Sequence, residues 1–173
     1  VNLGSCTFVM APAQTYKTRK IRMSHDERPK INDSGKRFMF DTKIALIVRN
    51  DLATWQRLNV VAFLATGIAS AVPEMLGKAY IDANGYEYGN MLGQPMLVFE
   101  GDLSGLQKAH RKGIEQDLTI IPYVHAMFST GNDEDNRAVF LAEDANQLNL
   151  VGLALRGPKK AVDKAIKGLS LHQ

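Results

Sequence analysis

Cysteine is all but missing. Cys6 stands alone in 173 residues, so no internal disulfide forms, which excludes a disulfide scaffold and fits a reducing compartment. Long apolar runs are missing too. The longest, Leu58 to Val72, is broken by Asn59, Thr66, Gly67 and Ser70, and is too short and too polar to span a bilayer. The chain shows no basic stretch followed by an apolar run and a cleavage site, so secretion and membrane insertion are not expected and the cytosol is the default compartment. A phosphate-binding glycine loop, a nucleophile elbow, zinc-ligand spacing and a dinucleotide fingerprint are absent as well. No metal and no cofactor are therefore implied. Asp133, Glu134 and Asp135 cluster, but without a calcium-loop glycine, and capping of a helix accounts for them.

Excess charge of one sign is missing from most of the chain. The net charge is +3, yet the segment before Met39 carries eight basic residues against three acidic ones, a net +5, which leaves −2 for the remainder. Electrostatics thus give no support for RNA or other nucleic acid binding by the rest of the chain. Residues 1–38 also have few periodic apolar positions and are expected to hold little stable structure. They read either as a basic arm for nucleic acid or an acidic partner, or as an extension upstream of a natural start at Met39. The remaining length fits one domain, and a hydrophobic content of 45% supplies a real core.

Several local signals are present from Met39 onward. Thr42 to Arg49 is a near-continuous apolar run with charged ends, the pattern of a central strand covered on both faces. Asn50 and Asp51 offer caps for a helix over Leu52 to Val72, ended by Pro73. That helix is apolar almost all round and rich in small residues, so it is expected to be heavily buried against the sheet or a partner. Asn84-Gly85 between β-type residues signals a hairpin. Met96 to Phe99 reads as a strand, and Asp102 caps a helix to about Gln116 with Leu103, Leu106, His110 and Ile114 near one face. Leu118 to Val124 reads as a strand weakened by Pro122, and Asn132 caps the next helix. Leu150 to Arg156 is a buried strand, Gly157-Pro158 a tight turn, and the closing helix starts with Lys159 and Lys160. Strand and helix alternate, which implies an α/β fold with a mixed, mostly parallel sheet and one hairpin.

Three groups of residues are candidates for function. Lys159 and Lys160 oppose the dipole of their helix, which makes sense if an anion binds there with Arg156 nearby. Otherwise Asp163 pairs with both lysines on a solvated face. Asn59 and Thr66, seven positions apart on one helix, point to nearly the same side. They line a pocket with Trp55 and Arg57 at its rim, or else Asn59 bonds a neighbouring loop and Thr66 bonds back to its own helix. His125 follows a strand end, where it acts as an acid or base or is simply a satisfied loop residue.

Two segments carry a resemblance. Lys43-Ile-Ala-Leu-Ile-Val-Arg-Asn-Asp-Leu52 and Gly152-Leu-Ala-Leu-Arg-Gly-Pro-Lys-Lys-Ala-Val-Asp-Lys164 resemble the opening strand and the closing strand and helix of type-II peptidyl-tRNA hydrolases. Met39 to Gln173 is similar to a small bacterial family catalogued as domain of unknown function number two thousand. The likeness rests on Trp55-Gln-Arg-Leu-Asn-Val-Val-Ala-Phe-Leu-Ala-Thr-Gly67, Met91-Leu-Gly-Gln-Pro95 and Leu153-Ala-Leu-Arg-Gly-Pro158. It implies a three-layer α/β/α sandwich of the type-II hydrolase kind. Where those enzymes place a glutamine and a histidine on the first helix, this chain has Ala62 or Phe63 and Ala65 or Thr66. The resemblance implies Arg57 in place of a phosphate-binding lysine and Asp144 in place of an acid. The expected function is binding of a small anionic or polar ligand. The alternatives are hydrolysis of peptidyl-tRNA or a related acyl ester or amide, with Arg57, Thr66, His125 and Asp144 nearest to catalytic roles, and a homodimeric interaction module.

Overall fold

The computed structural model describes residues 40–173; the basic segment 1–38 lies outside them. The apolar run forms β1 (Thr42–Arg49), followed by α1 (Thr54–Ala71) and a 3-10 turn at Pro73–Met75. A hairpin of β2 (Leu76–Ile81) and β3 (Glu87–Leu92) comes next, then β4 (Met96–Gly101) and α2 (Leu103–Glu115). The second half contains β5 (Thr119–Val124), a 3-10 turn at His125–Ser129, α3 (Asp133–Leu141), β6 (Leu150–Pro158), α4 (Lys159–Ala165) and β7 (Ser170–Leu171).

Five strands make one sheet in the order β5-β6-β1-β4-β7, and β2 and β3 pair separately. The α/β class is as expected, but the sheet is not mostly parallel. Among the described residues only β1 and β4 run parallel; β6 is antiparallel to both β1 and β5, and β7 is antiparallel to β4. Alternation of strand and helix implies parallel strands only where the helix crosses the length of the sheet. Here α3 packs against the His125–Ser129 turn at the end of the sheet. The chain therefore enters β6 from the same end and returns antiparallel.

The double covering of β1 is borne out by two apolar clusters. Ile44, Leu46 and Val48 face Val60, Leu64 and Ile68 of α1, while Ala45 and Ile47 face the side of Leu106, Ala109 and Val162 from α2 and α4. Between Tyr123 and Val124 the β5–β6 register shifts, so Val151 is an extra residue on β6 and the alternation resets there.

The helix α1 departs from its expected burial. Only Val60, Leu64 and Ile68 are buried, at the i, i+4, i+8 spacing of one stripe. Trp55, Leu58 and Phe63 stay more than half exposed. One side of the sheet can bury only one stripe, however apolar the remainder is. Ala53 rather than Asn50 or Asp51 is its cap position, and the Gln56 carboxamide accepts from the Ala53 N–H. Asp102 and Asn132 cap as the sequence indicates, accepting from Gly105 and Asp135. In α2 the buried positions are Leu106, Ala109 and Gly113, and Ile114 is exposed. Pro122 sits inside β5, where the edge position tolerates it.

Candidate functional site

The N-terminal ends of β1 and β4 and the C-terminal end of β6 meet at one end of the sheet. A cleft of about 740 Å³ opens there, lined by Thr42, Lys43, Gln94, Leu97, Lys159 and Lys160 among others. Its floor is a reciprocal pair. Gln94 Nε2 donates to the Thr42 carbonyl at 2.6 Å, and Thr42 Oγ1 donates to Gln94 Oε1 at 2.9 Å. Gln94 is 5% exposed, the one buried polar side chain among the described residues. Burial without partners would cost it several hydrogen bonds' worth of desolvation, and these two bonds remove that penalty.

Three lysines, Lys43, Lys159 and Lys160, and one acid, Asp41, line the cleft. Lys43 Nζ is tied to Asp163 at 2.7 Å and lies 5.1 Å from the centre of the Phe99 ring. Lys159 and Lys160 are exposed and have no ion-pair partner among the described residues. Asp163 therefore does not pair with both of them, since Lys43 from the neighbouring strand takes it. The backbone differs from expectation too. Gly157 and Pro158 make no tight turn; they continue β6, opposite Lys43 and Thr42. The Lys159 N–H donates to the Asp41 carbonyl at 3.0 Å. That donor is thus engaged, and α4 is only seven residues long.

Arg156 does not join the lysines. Alternation along β6 turns it to the α1 side of the sheet, where Nε contacts Met75 Sδ at 3.0 Å. The helix pair Asn59 and Thr66 does not line the cleft either. Asn59 accepts from the Tyr123 hydroxyl at 3.2 Å, and Thr66 bonds back to the Phe63 carbonyl at 2.9 Å. Asn59 is thus bonded to strand β5 rather than to a loop, and Thr66 bonds back within its own helix, to the carbonyl three residues earlier.

The opposite end of the sheet holds the remaining candidates. Arg57 spends its guanidinium on the loop before α1, donating to the carbonyls of Leu52 at 3.0 Å and Asn50 at 2.6 Å, with Glu100 at 3.9 Å. Nearby, Trp55, Tyr123 and the exposed His125 all pack on Phe128, with ring centres 5.5 to 5.7 Å away. Burial raises the Tyr123 phenol above its ordinary value. Asp144 is exposed and accepts from the Asn146 N–H within its own turn. The fold thus gathers Trp55, Asn59 and His125 around one aromatic cluster. It gives Arg57, Thr66 and Asp144 separate structural partners. No hydrogen bond or ion pair links any two of Arg57, Thr66, His125 and Asp144.

Gln94, Thr42 and Lys43 are the cleft residues that sequence reasoning passed over. Gln94 sits in the Met91–Pro95 motif, whose placement before a strand was the available signal. Among the described residues no three His, Cys, Asp or Glu side chains group as a metal site, and no helix is long and apolar enough to cross a membrane.

Residues 42–173 match the family described as protein of unknown function (DUF2000). Nine chains of solved structures resemble this one. One is a protein of unknown function from Agrobacterium tumefaciens strain C58, 45% identical, with the match covering 78% of this chain and all of that one at a TM-score of 0.76. No curated protein matches the chain.

Proposed function

The chain belongs to the DUF2000 family, and from that premise we propose that it binds a small anionic ligand in the cleft between β1, β4 and α4. The observation that carries this reading is the pair Lys159 and Lys160, two charges without an ion-pair partner among the described residues at the lip of a roughly ligand-sized cleft. A phosphate or carboxylate group between them relieves their mutual repulsion. Lys43 adds a third cation, partly neutralised by Asp163. Thr42 and Gln94 keep the floor in place, and Phe40 and Leu97 offer apolar surface to the body of the ligand.

We further read the fold as the three-layer α/β/α sandwich of the type-II peptidyl-tRNA hydrolases, formed as one domain from Met39 onward. In support, apolar clusters lie on both faces of the sheet. Hydrolase activity has less support than anion binding, because Arg57 and Thr66 already serve backbone carbonyls. A thermal-unfolding screen with phosphate, pyrophosphate, citrate and mononucleotides tests the proposal. A ligand at a hundred times its Kd adds about 2.7 kcal/mol of stability. Neutral sugars are the control, and equal response to both classes contradicts the anion reading.

A further inference from the structure

We propose, resting on the anion-binding reading of the same cleft, that its ligand is a monocarboxylate with an apolar body. The carboxylate lies at Lys159 and Lys160, and the body lies against Leu97 and Phe40. The strand order separates the two ends. Lys159 and Lys160 follow β6, Lys43 is on β1 and Leu97 is on β4, and β6 and β4 flank β1. The two flanking strands stand about 10 Å apart, twice the spacing of neighbouring strands. Leu97 is opposite Ala45 in the parallel pair, so it shares the face of the sheet that α2 and α4 cover. Lys43 alternates onto that face too, where it reaches Asp163 of α4. Cations and apolar surface therefore occupy different parts of one cleft, with the Lys43–Asp163 pair between them.

The charge balance limits the head to one negative charge. Lys43, Lys159 and Lys160 face two carboxylates, the lining Asp41 and the Asp163 that binds Lys43 at 2.7 Å. Three against two leaves a single positive charge in excess. Asp41 stands beside the two lysines of α4, since its carbonyl accepts from the Lys159 N–H at 3.0 Å, and its carboxylate repels a second negative charge. A phosphate monoester carries about −1.5 to −2 near neutral pH, and pyrophosphate or citrate more. Among the described residues no arginine lines the cleft to grip phosphate oxygens in pairs. A pair of ammonium groups meets the one charge of a carboxylate without that fork.

The rest of the cleft suits an apolar body rather than a sugar. Leu97 is 41% exposed and Phe40 40%. Pro95, two residues before Leu97, is exposed as well, and all three line the cleft. Single exposed apolar residues are ordinary on a protein surface. Three that wall one cleft of ligand size, beside a few charged groups, are the usual make-up of a small-molecule site. The floor offers little in exchange for a hydroxyl. Gln94 is engaged with Thr42 through both ends of its carboxamide, so a hydroxyl-rich body has few partners there.

Isothermal titration of the full chain with butanoate, hexanoate, octanoate, octanamide, inorganic phosphate and pyrophosphate tests the assignment. Affinity should rise about twofold per added methylene, half the free energy of a fully buried one, and so about sixteenfold from butanoate to octanoate. Octanoate should bind more tightly than phosphate or pyrophosphate. Octanamide, with the same body and no charge, should bind at least about tenfold more weakly than octanoate. Leu97→Thr should flatten the rise with chain length. Phe40→Ser should do the same, and gives a result even if the strand variant misfolds. Tighter binding of phosphate or pyrophosphate than of octanoate overturns the monocarboxylate and leaves the anion-binding reading standing. An affinity that does not change with chain length does the same, as does a rise that both variants keep. Octanamide binding as tightly as octanoate overturns both, and so does no binding by any of the five anions.

Discussion

Gln94 and Thr42 hold one another by two hydrogen bonds, carboxamide to backbone carbonyl and hydroxyl to carboxamide, across 52 positions of sequence. The pair fixes the loop after β3 against the first residue of β1. Gln94→Ala should cost about 1–3 kcal/mol, since it leaves the Thr42 carbonyl unpaired in a nearly dry site. Gln94→Glu should cost more, because it sets a carboxylate against that carbonyl. Urea unfolding of both variants checks the order, and equal stabilities would contradict it.

Lys43 separates binding from stability. Its ion pair with Asp163 is partly exposed, 18% and 48% at the two side chains, and such pairs contribute about 1 kcal/mol or less. Lys43→Met should therefore leave the melting temperature nearly unchanged while weakening anion binding. Titration of the variant with the strongest anion from the screen reads the second effect.

Gly152 lets α1 lie close on β6. A Cβ at that position would overlap Val60 Cγ1 and come within 3.1 Å of Leu64 Cδ1. Gly152→Ala should destabilise by about 1–3 kcal/mol through overpacking. Adding Val60→Ala should recover part of that loss, giving a positive coupling in a double-mutant cycle. Strict additivity in denaturant unfolding would contradict the close approach.

Asp102 gives the pH prediction. The Gly105 N–H and then the Ser104 hydroxyl hold its carboxyl below the ordinary carboxylate value of about 3.9. A depressed carboxyl contributes stability that is fully present above the unfolded-state value and is lost as pH falls through the folded one. Asp102→Asn keeps the cap without the charge. The wild type should therefore lose more stability than the variant on acidification below about pH 4, and parallel curves would contradict the assignment.

How far the sequence reveals all this depends on range. Thr42 to Arg49 was legible as a doubly covered strand because an unbroken apolar run of that length with charged ends fits little else. The caps at Asp102 and Asn132 were legible because capping is local. Strand direction was not: whether β6 returns parallel or antiparallel depends on where α3 packs. The site divided the same way. Lys159 and Lys160 were visible as unusual charges at a helix start. Arg156 turns to the α1 side of the sheet, onto Met75 and away from the lysines, and the Gly157-Pro158 signal suggested a turn where the strand in fact continues. The partners of Asn59 and Arg57 lie on β5 and in the loop after β1. No spacing in α1 encodes those contacts. Gln94 became informative only when the fold set it beside Thr42.

The central claim is that Lys159 and Lys160 hold an anion in the cleft. The most direct measurement is the melting-temperature rise produced by the most stabilising anion, taken in the wild type and in Lys159→Ala/Lys160→Ala. The wild type should show a saturable rise, and the double variant should lose at least about tenfold in apparent affinity, roughly 1.4 kcal/mol. A rise that survives the double substitution at the same anion concentration would contradict the claim, as would no rise from any anion.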